Sequence, residues 1–170
     1  MTRAISVRPT KTVTIRTGLA CVHDTLAIMA GLVRAGKGSI AIRETALNLV
    51  SPIPPKNYLS EVAAIHAFVR DKIRYVRDPF DLETIAEPWI TLDLKQGDCD
   101  DKAVLAASLL ASIGFPVVLK AVGFRPGHCS HVLLAAQVPG VGWVDVETTE
   151  PVPLGWAPPN VKTTVLMGCQ

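Results

Sequence analysis

Three residue types in this 170-residue chain can together break an amide bond, and they occur in a workable order: Cys99, then His128 or His131, then Asp145. Cys99 lies in Gly97-Asp98-Cys99-Asp100-Asp101, at the opening of the most apolar helical stretch. Asp98 suits the N-cap of a helix running from Cys99 to about Ile113, and Asp101 completes a capping-box-like pair. Cys99 then becomes the first helical residue, its sulfur at the positive end of the macrodipole, which favours the nucleophilic thiolate. The flanking carboxylates oppose that ionisation. A reactive Cys99 at neutral pH therefore needs an imidazolium close by.

His131 starts an apolar run, Val132-Leu133-Leu134-Ala135, where a polar side chain needs a reason. Asp145 interrupts the next such run in Trp143-Val144-Asp145. If the hairpin loop is 136–140, residue 135 pairs with 141 and His131 falls opposite Asp145. Cβ atoms of directly opposed residues are about 5 Å apart, close enough for a carboxylate to orient an imidazole. A tight turn at Pro139-Gly140 would shift that pairing by about three residues and weaken the case. The rival chemistry is a metal site of Cys99, His128, Cys129 and His131, which has suitable ligand types. Its His-Cys-x-His spacing is atypical for zinc, and it leaves the capped helix and Asp145 without a purpose. No metal and no cofactor are therefore expected.

The elements that must position these residues follow from periodicity. The pattern predicts helices from about residue 23 or 24 to Ala35, from Ile40 to Val50, from Leu59 to Ile73, and the Cys99 helix, which is apolar nearly all round and so belongs mid-fold. His66 lies on or beside the inward stripe of the third helix and reads as a packed core histidine. Strands are predicted at 117–122, 131–135, 141–146 and 161–166, with an edge strand or extended arm within 4–17. Tyr75-Val76 and Asp78-Pro79 end the third helix, and the stretch after them, through Glu87-Pro88-Trp89 to Lys95, reads as irregular. Gly36-Lys37-Gly38 resembles the end of a phosphate-binding loop but lacks the following Ser/Thr, so a helix C-cap is the better account. The outline, helices first and then an antiparallel sheet on the central helix, is α+β. The break at Ser51-Pro52-Ile53-Pro54-Pro55 divides an N-terminal arm and helical subdomain (1–55) from a core (56–170), with both expected within one compact unit.

Composition narrows the function. With 49% hydrophobic residues, 19% charged and a net charge of +2, the chain suits a well-cored domain and gives no case for nucleic-acid or membrane binding. The N-terminus carries no apolar h-region, so no signal peptide is expected. Four irregularly spaced cysteines then point to reduced thiols and a cytoplasmic location.

Gly97–Asp101, Ser130-His131-Val132 and Trp143-Val144-Asp145 together resemble the three blocks of the transglutaminase-like cysteine-peptidase superfamily. Ile73-Arg74-Tyr75-Val76, Asp78-Pro79 and Gly114-Phe115-Pro116 are similar to its bacterial and phage-encoded members, so a viral or prophage origin fits. The resemblance covers roughly 60–156. It implies a papain-like core with Cys99 as nucleophile, His131 as general base and acid, and Asp145 as the orienting carboxylate. Animal transglutaminases have tryptophan after the cysteine, where Asp100 stands here, which favours hydrolysis of a peptide or protein substrate over cross-linking. The Cys99 N–H would be one oxyanion donor, and Tyr75 or Trp89 are the candidates for a second. Amine-accepting transfer or deamidation, and a non-catalytic binding module of the same fold, are the alternatives.

Overall fold

The computed structural model describes residues 11–12, 19–77 and 84–170, so Asp78-Pro79 and most of the proposed N-terminal arm lie outside the described residues. In chain order the elements are β1 (Lys11–Thr12), α1 (Leu19–Lys37), α2 (Ile40–Val50), α3 (Tyr58–Lys72), β2 (Arg74–Tyr75), β3 (Thr84–Ile85), α4 (Pro88–Leu94), β4 (Gln96–Gly97), α5 (Cys99–Ser112), β5 (Val117–Gly123), β6 (His131–Val138), β7 (Gly142–Val146) and β8 (Thr163–Gly168). The α+β outline holds. α1 begins earlier and ends later than its apolar stripe alone indicates, and α2 has the bounds that its periodicity predicts.

α5 is the hub. Every residue from Asp100 to Ser112 is buried, so this helix has no solvent face, in keeping with its alanines and leucines. α1 sends Leu26, Met29, Ala30 and Val33 against it, α2 sends Ile42 and Ala46, and α3 sends Val62, Ile65 and Val69. All of these belong to one hydrophobic core. Residues on both sides of the 51–55 break thus contribute to that core. At Gly36 the close approach of helices excludes a side chain: a Cβ there would lie 2.5 Å from Ser108 Oγ and 2.6 Å from Pro88 Cγ. Gly36 thus serves packing, and α1 ends one residue beyond it. Among the described residues no single helix is long and apolar enough to cross a membrane.

The main sheet has four antiparallel strands in the order β7-β6-β5-β8. Leu119 pairs with Leu134 and Leu134 with Val146, and all three face the α5 core. Lys120, opposite Leu133, and Asp145, opposite Ala135, alternate to the other face. β7 pairs only as far as Leu134↔Val146, whereas β5 pairs with β6 down to His131. Residues 131–133 of β6 therefore overhang β7, which leaves that edge open to other groups. The stretch read as irregular holds β3 and α4, and the two-residue strands β2 and β4 flank it. These two pair in parallel and place Tyr75 beside Gly97.

Candidate active site

The N-terminus of α5 is built by a reciprocal cap. The Asp98 side chain accepts from the N–H groups of Asp100 (3.0 Å) and Asp101 (3.2 Å), while Asp101 Oδ2 accepts from the Asp98 N–H (3.4 Å). This is the capping box that the sequence predicts. Gly97 is required by it, because a Cβ there would lie 2.5 Å from the Asp101 Cβ. Asp101 also accepts from the Ala86 N–H through Oδ1 (2.7 Å), which ties the segment before α4 to the same helix end. The cap uses the N–H groups of Asp100 and Asp101 and leaves that of Cys99.

The Cys99 sulfur lies at the overhang of β6, where the Val132 N–H reaches it. That hydrogen bond favours the thiolate. Burial disfavours it more, and the Asp100 and Asp98 charges add to burial, so the thiol pKa is pushed well up. Asp100 Oδ1 also sits 3.5 Å from the sulfur and accepts its S–H. Burial and the flanking carboxylates thus oppose the preference of the helix terminus and favour the thiol form of Cys99.

His131, next to Val132, is the histidine at the site, and His128 is exposed in the preceding loop, bridged to Arg125. The carboxylate at His131 is not Asp145. Asp145 is held by Lys120 Nζ, 2.8 Å from each carboxylate oxygen. The reason is the hairpin: its loop is residues 139–141, with Gly140 at φ 78° and Val138 opposite Gly142, rather than the longer 136–140. That register moves Asp145 from His131 to Ala135. Lys120 then reaches it across β6.

The carboxylate that does meet His131 is Glu147, just past the end of β7, which sequence reasoning passes over. His131 Nε2–H donates to Glu147 Oε2 at 2.6 Å. Glu147 Oε1 accepts from the N–H groups of Thr149 (2.7 Å) and Glu150 (3.4 Å), and the residue has no solvent exposure. Burial works against the His131 charge, but the Glu147 hydrogen bond and the charges of Glu147, Glu150 and Asp100 outweigh it, and the pKa is raised. Burial likewise works against the Glu147 charge, and His131 with the two backbone donors prevails, so that pKa is lowered. Because a carboxylate only accepts here, the neutral ring carries its proton on Nε2 and presents Nδ1 as a base.

Among the described residues, no hydrogen bond joins Tyr75 or Trp89 to Cys99, His131 or Glu147. Tyr75 is exposed on β2, and Trp89, in α4, has a buried Nε1–H without a partner. Among the described residues, the group of cation-ligating side chains whose ligand atoms lie within 4.8 Å of one another is Asp98, Cys99 and Asp100. His128, Cys129 and His131 are not part of that group.

The model of the transglutaminase-like superfamily matches residues 46–148. No curated protein matches the chain. Among solved structures, a candidate protease from Parabacteroides distasonis superposes with a TM-score of 0.57 at 19% identity, over 76% of this chain and 27% of its own. A candidate cysteine protease from Cytophaga hutchinsonii gives 0.54 at 19% identity, over 74% and 42%. LapG of Legionella pneumophila gives 0.53 at 17% identity, over 81% and 80%. This chain thus spans well under two thirds of the first two, and at these identities the likeness is one of fold.

Proposed function

This chain belongs to the transglutaminase-like superfamily, and on that premise we propose that it is a thiol-dependent acyl-transfer enzyme that hydrolyses amide or peptide bonds through Cys99, His131 and Glu147. The observation that carries the reading is the junction at the β6 overhang. There a helix-terminal sulfur meets the Val132 N–H, and the imidazole of His131, the residue before Val132, is fixed by a fully buried carboxylate. Asp145 has no part in it, and Glu147 takes the orienting role.

In the proposed reaction the Cys99 sulfur bonds to the substrate carbonyl carbon as its proton passes to His131 Nδ1. The imidazolium, held by Glu147, gives that proton to the leaving nitrogen as the C–N bond breaks. Water then loses a proton to Nδ1 as its oxygen bonds to the thioester carbon, and the imidazolium returns that proton to the Cys99 sulfur as the C–S bond breaks, freeing the acid. The Cys99 N–H, unused by the cap, is the oxyanion donor in this scheme. The raised thiol pKa makes His131 a base during attack rather than one half of a preformed ion pair. Activity should therefore rise with pH as His131 loses its proton, with a midpoint above the ordinary value near 6.5.

The test pairs labelling with turnover. A thiol-directed electrophile shaped as a peptide should modify Cys99 in preference to Cys21, Cys129 and Cys169. Cys99→Ala and His131→Ala, each folded by circular dichroism, should lose amide hydrolysis by at least about 10³-fold. Undiminished turnover in Cys99→Ala would end the proposal. A parent inert to both substrate and probe would favour a binding module of the same fold.

A further inference from the structure

Helix α3 carries a histidine that the scheme above does not use. His66 is 2% exposed, and its Nε2–H donates to the Glu147 carbonyl at 2.6 Å. One turn along the same face, Arg70 donates through Nη1 to the Val152 carbonyl at 2.8 Å. α3 thus grips the chain after β7 at two carbonyls five residues apart. The helix is itself tied to α5: Lys102, buried three residues beyond Cys99, donates Nζ–H to the carbonyls of Ile73 (2.9 Å) and Arg70 (3.4 Å). One strut therefore connects the helix that carries the nucleophile with the segment that carries the carboxylate.

We propose that His66 is a positioning residue for the reaction, which sets the main chain at Glu147 and so the carboxylate under His131. The proposal rests on the assignment of Cys99, His131 and Glu147 above. Glu147 lies past the last β7 pair, so no ladder hydrogen bond fixes its backbone. Its own side chain secures the N–H groups of Thr149 and Glu150, and His66 supplies the remaining anchor at the carbonyl. A carbonyl only accepts, so the neutral His66 ring holds its proton on Nε2. Burial first, opposed by the Glu147 hydrogen bond, lowers the His66 pKa, and the charges around it are those of Arg70, Asp71 and Glu147. A neutral donor suits this place. It binds the carbonyl without setting a second cation against the Glu147 carboxylate that His131 needs.

The experiment compares His66→Phe, which removes the donor, with His66→Gln, whose amide can still donate. Two readouts are taken: the His131 ring titration by NMR, and kcat and KM for amide hydrolysis. In His66→Phe the His131 pKa should fall back toward about 6.5. There kcat should drop about 10–100-fold with KM nearly unchanged, the usual scale for an orienting partner one shell out. His66→Gln should restore most of both. If His66→Phe does not fold, His66→Asn, too short to reach the carbonyl, takes its place. A folded donor-less variant in which His131 titrates and turns over as in the parent would overturn the proposal. A parent without turnover, but with the His131 shift in His66→Phe, would refute the proposed activity and leave the positioning role standing.

Discussion

Asp145 and Glu147 stand two residues apart at the end of one strand, and each pairs with a basic side chain. Asp145 keeps 17% of its side chain exposed and meets Lys120, itself 22% exposed. Glu147 keeps none, meets His131, and is fixed by two backbone N–H groups on its side chain and by His66 on its carbonyl. In the first pair both ions keep some access to water, which screens their attraction and softens the loss of either partner. The second is a carboxylate that water cannot reach, where losing one partner leaves an unpaired buried charge. The two pairs differ in surroundings more than in chemistry, and surroundings decide which carboxylate can hold an imidazole still.

The largest expected effect separates them by turnover. Glu147→Gln should lower kcat by about 10²–10⁴-fold, because the imidazole loses its tautomer restraint and the stabilisation of its cation. Asp145→Asn should stay within a few-fold of the parent. Comparable losses in the two variants would break the comparison, and a larger loss from Asp145→Asn would restore the orienting role that sequence alone assigned to it.

Stability should follow the same order at smaller size. Glu147→Ala strands the His131 ring and two backbone donors and should cost about 3–5 kcal/mol in urea unfolding at pH 7. Asp145→Ala should cost about 0–1 kcal/mol. Similar midpoints for both would mean that burial does not distinguish the pairs.

The pH dependence sharpens the contrast. The His131 pKa is raised in the fold, so its contribution is full below the unfolded value near 6.5 and is lost as pH climbs through the folded one. The Glu147 pKa is lowered, so its contribution is full above the unfolded value near 4.5 and is lost as pH falls through the folded one. The pair therefore stabilises most between these limits. The urea midpoint of Glu147→Gln should lie furthest below that of the parent at about pH 5–6, and the gap should narrow on both sides.

What sequence could reveal divides along similar lines. The α5 cap was legible because Asp98 and Asp101 act within four residues, and local spacing fixes local geometry. His131 was legible because a polar residue at the head of an apolar strand stands out. The third residue depended on register. Two carboxylates alternate in Asp145-Val146-Glu147, and only the hairpin loop selects between them. A loop of 139–141 instead of 136–140 moves the partner of residue 145 from 131 to 135, and nothing in the residue types ranks one over the other. The signal in the sequence is Pro139-Gly140, a pair suited to a tight turn, which shortens the loop and so brings Glu147 into play. β2 and β4 were not legible, since two-residue strands leave no period to read.

The smallest expected effect concerns the thiol, and it extends the comparison to a carboxylate on the far side of the site. Asp100 accepts the Cys99 S–H at 3.5 Å, and after burial its charge does most to favour the protonated sulfur. Glu147, by contrast, acts on His131 and favours its cation. The two acids thus hold a proton on each side of the junction, and attack requires one to leave. Removing the Asp100 charge while keeping its shape should release the thiol proton more readily. Alkylation of Asp100→Asn by iodoacetamide at pH 8 should therefore run about 3–10-fold faster than in the parent, where the rate should still be climbing at pH 9. Asp145→Asn should leave that rate unchanged, because its charge is spent on Lys120. A parent already at its alkylation plateau at pH 6, with no response to Asp100→Asn, would show a preformed thiolate and return the macrodipole and imidazolium to first place over the carboxylates.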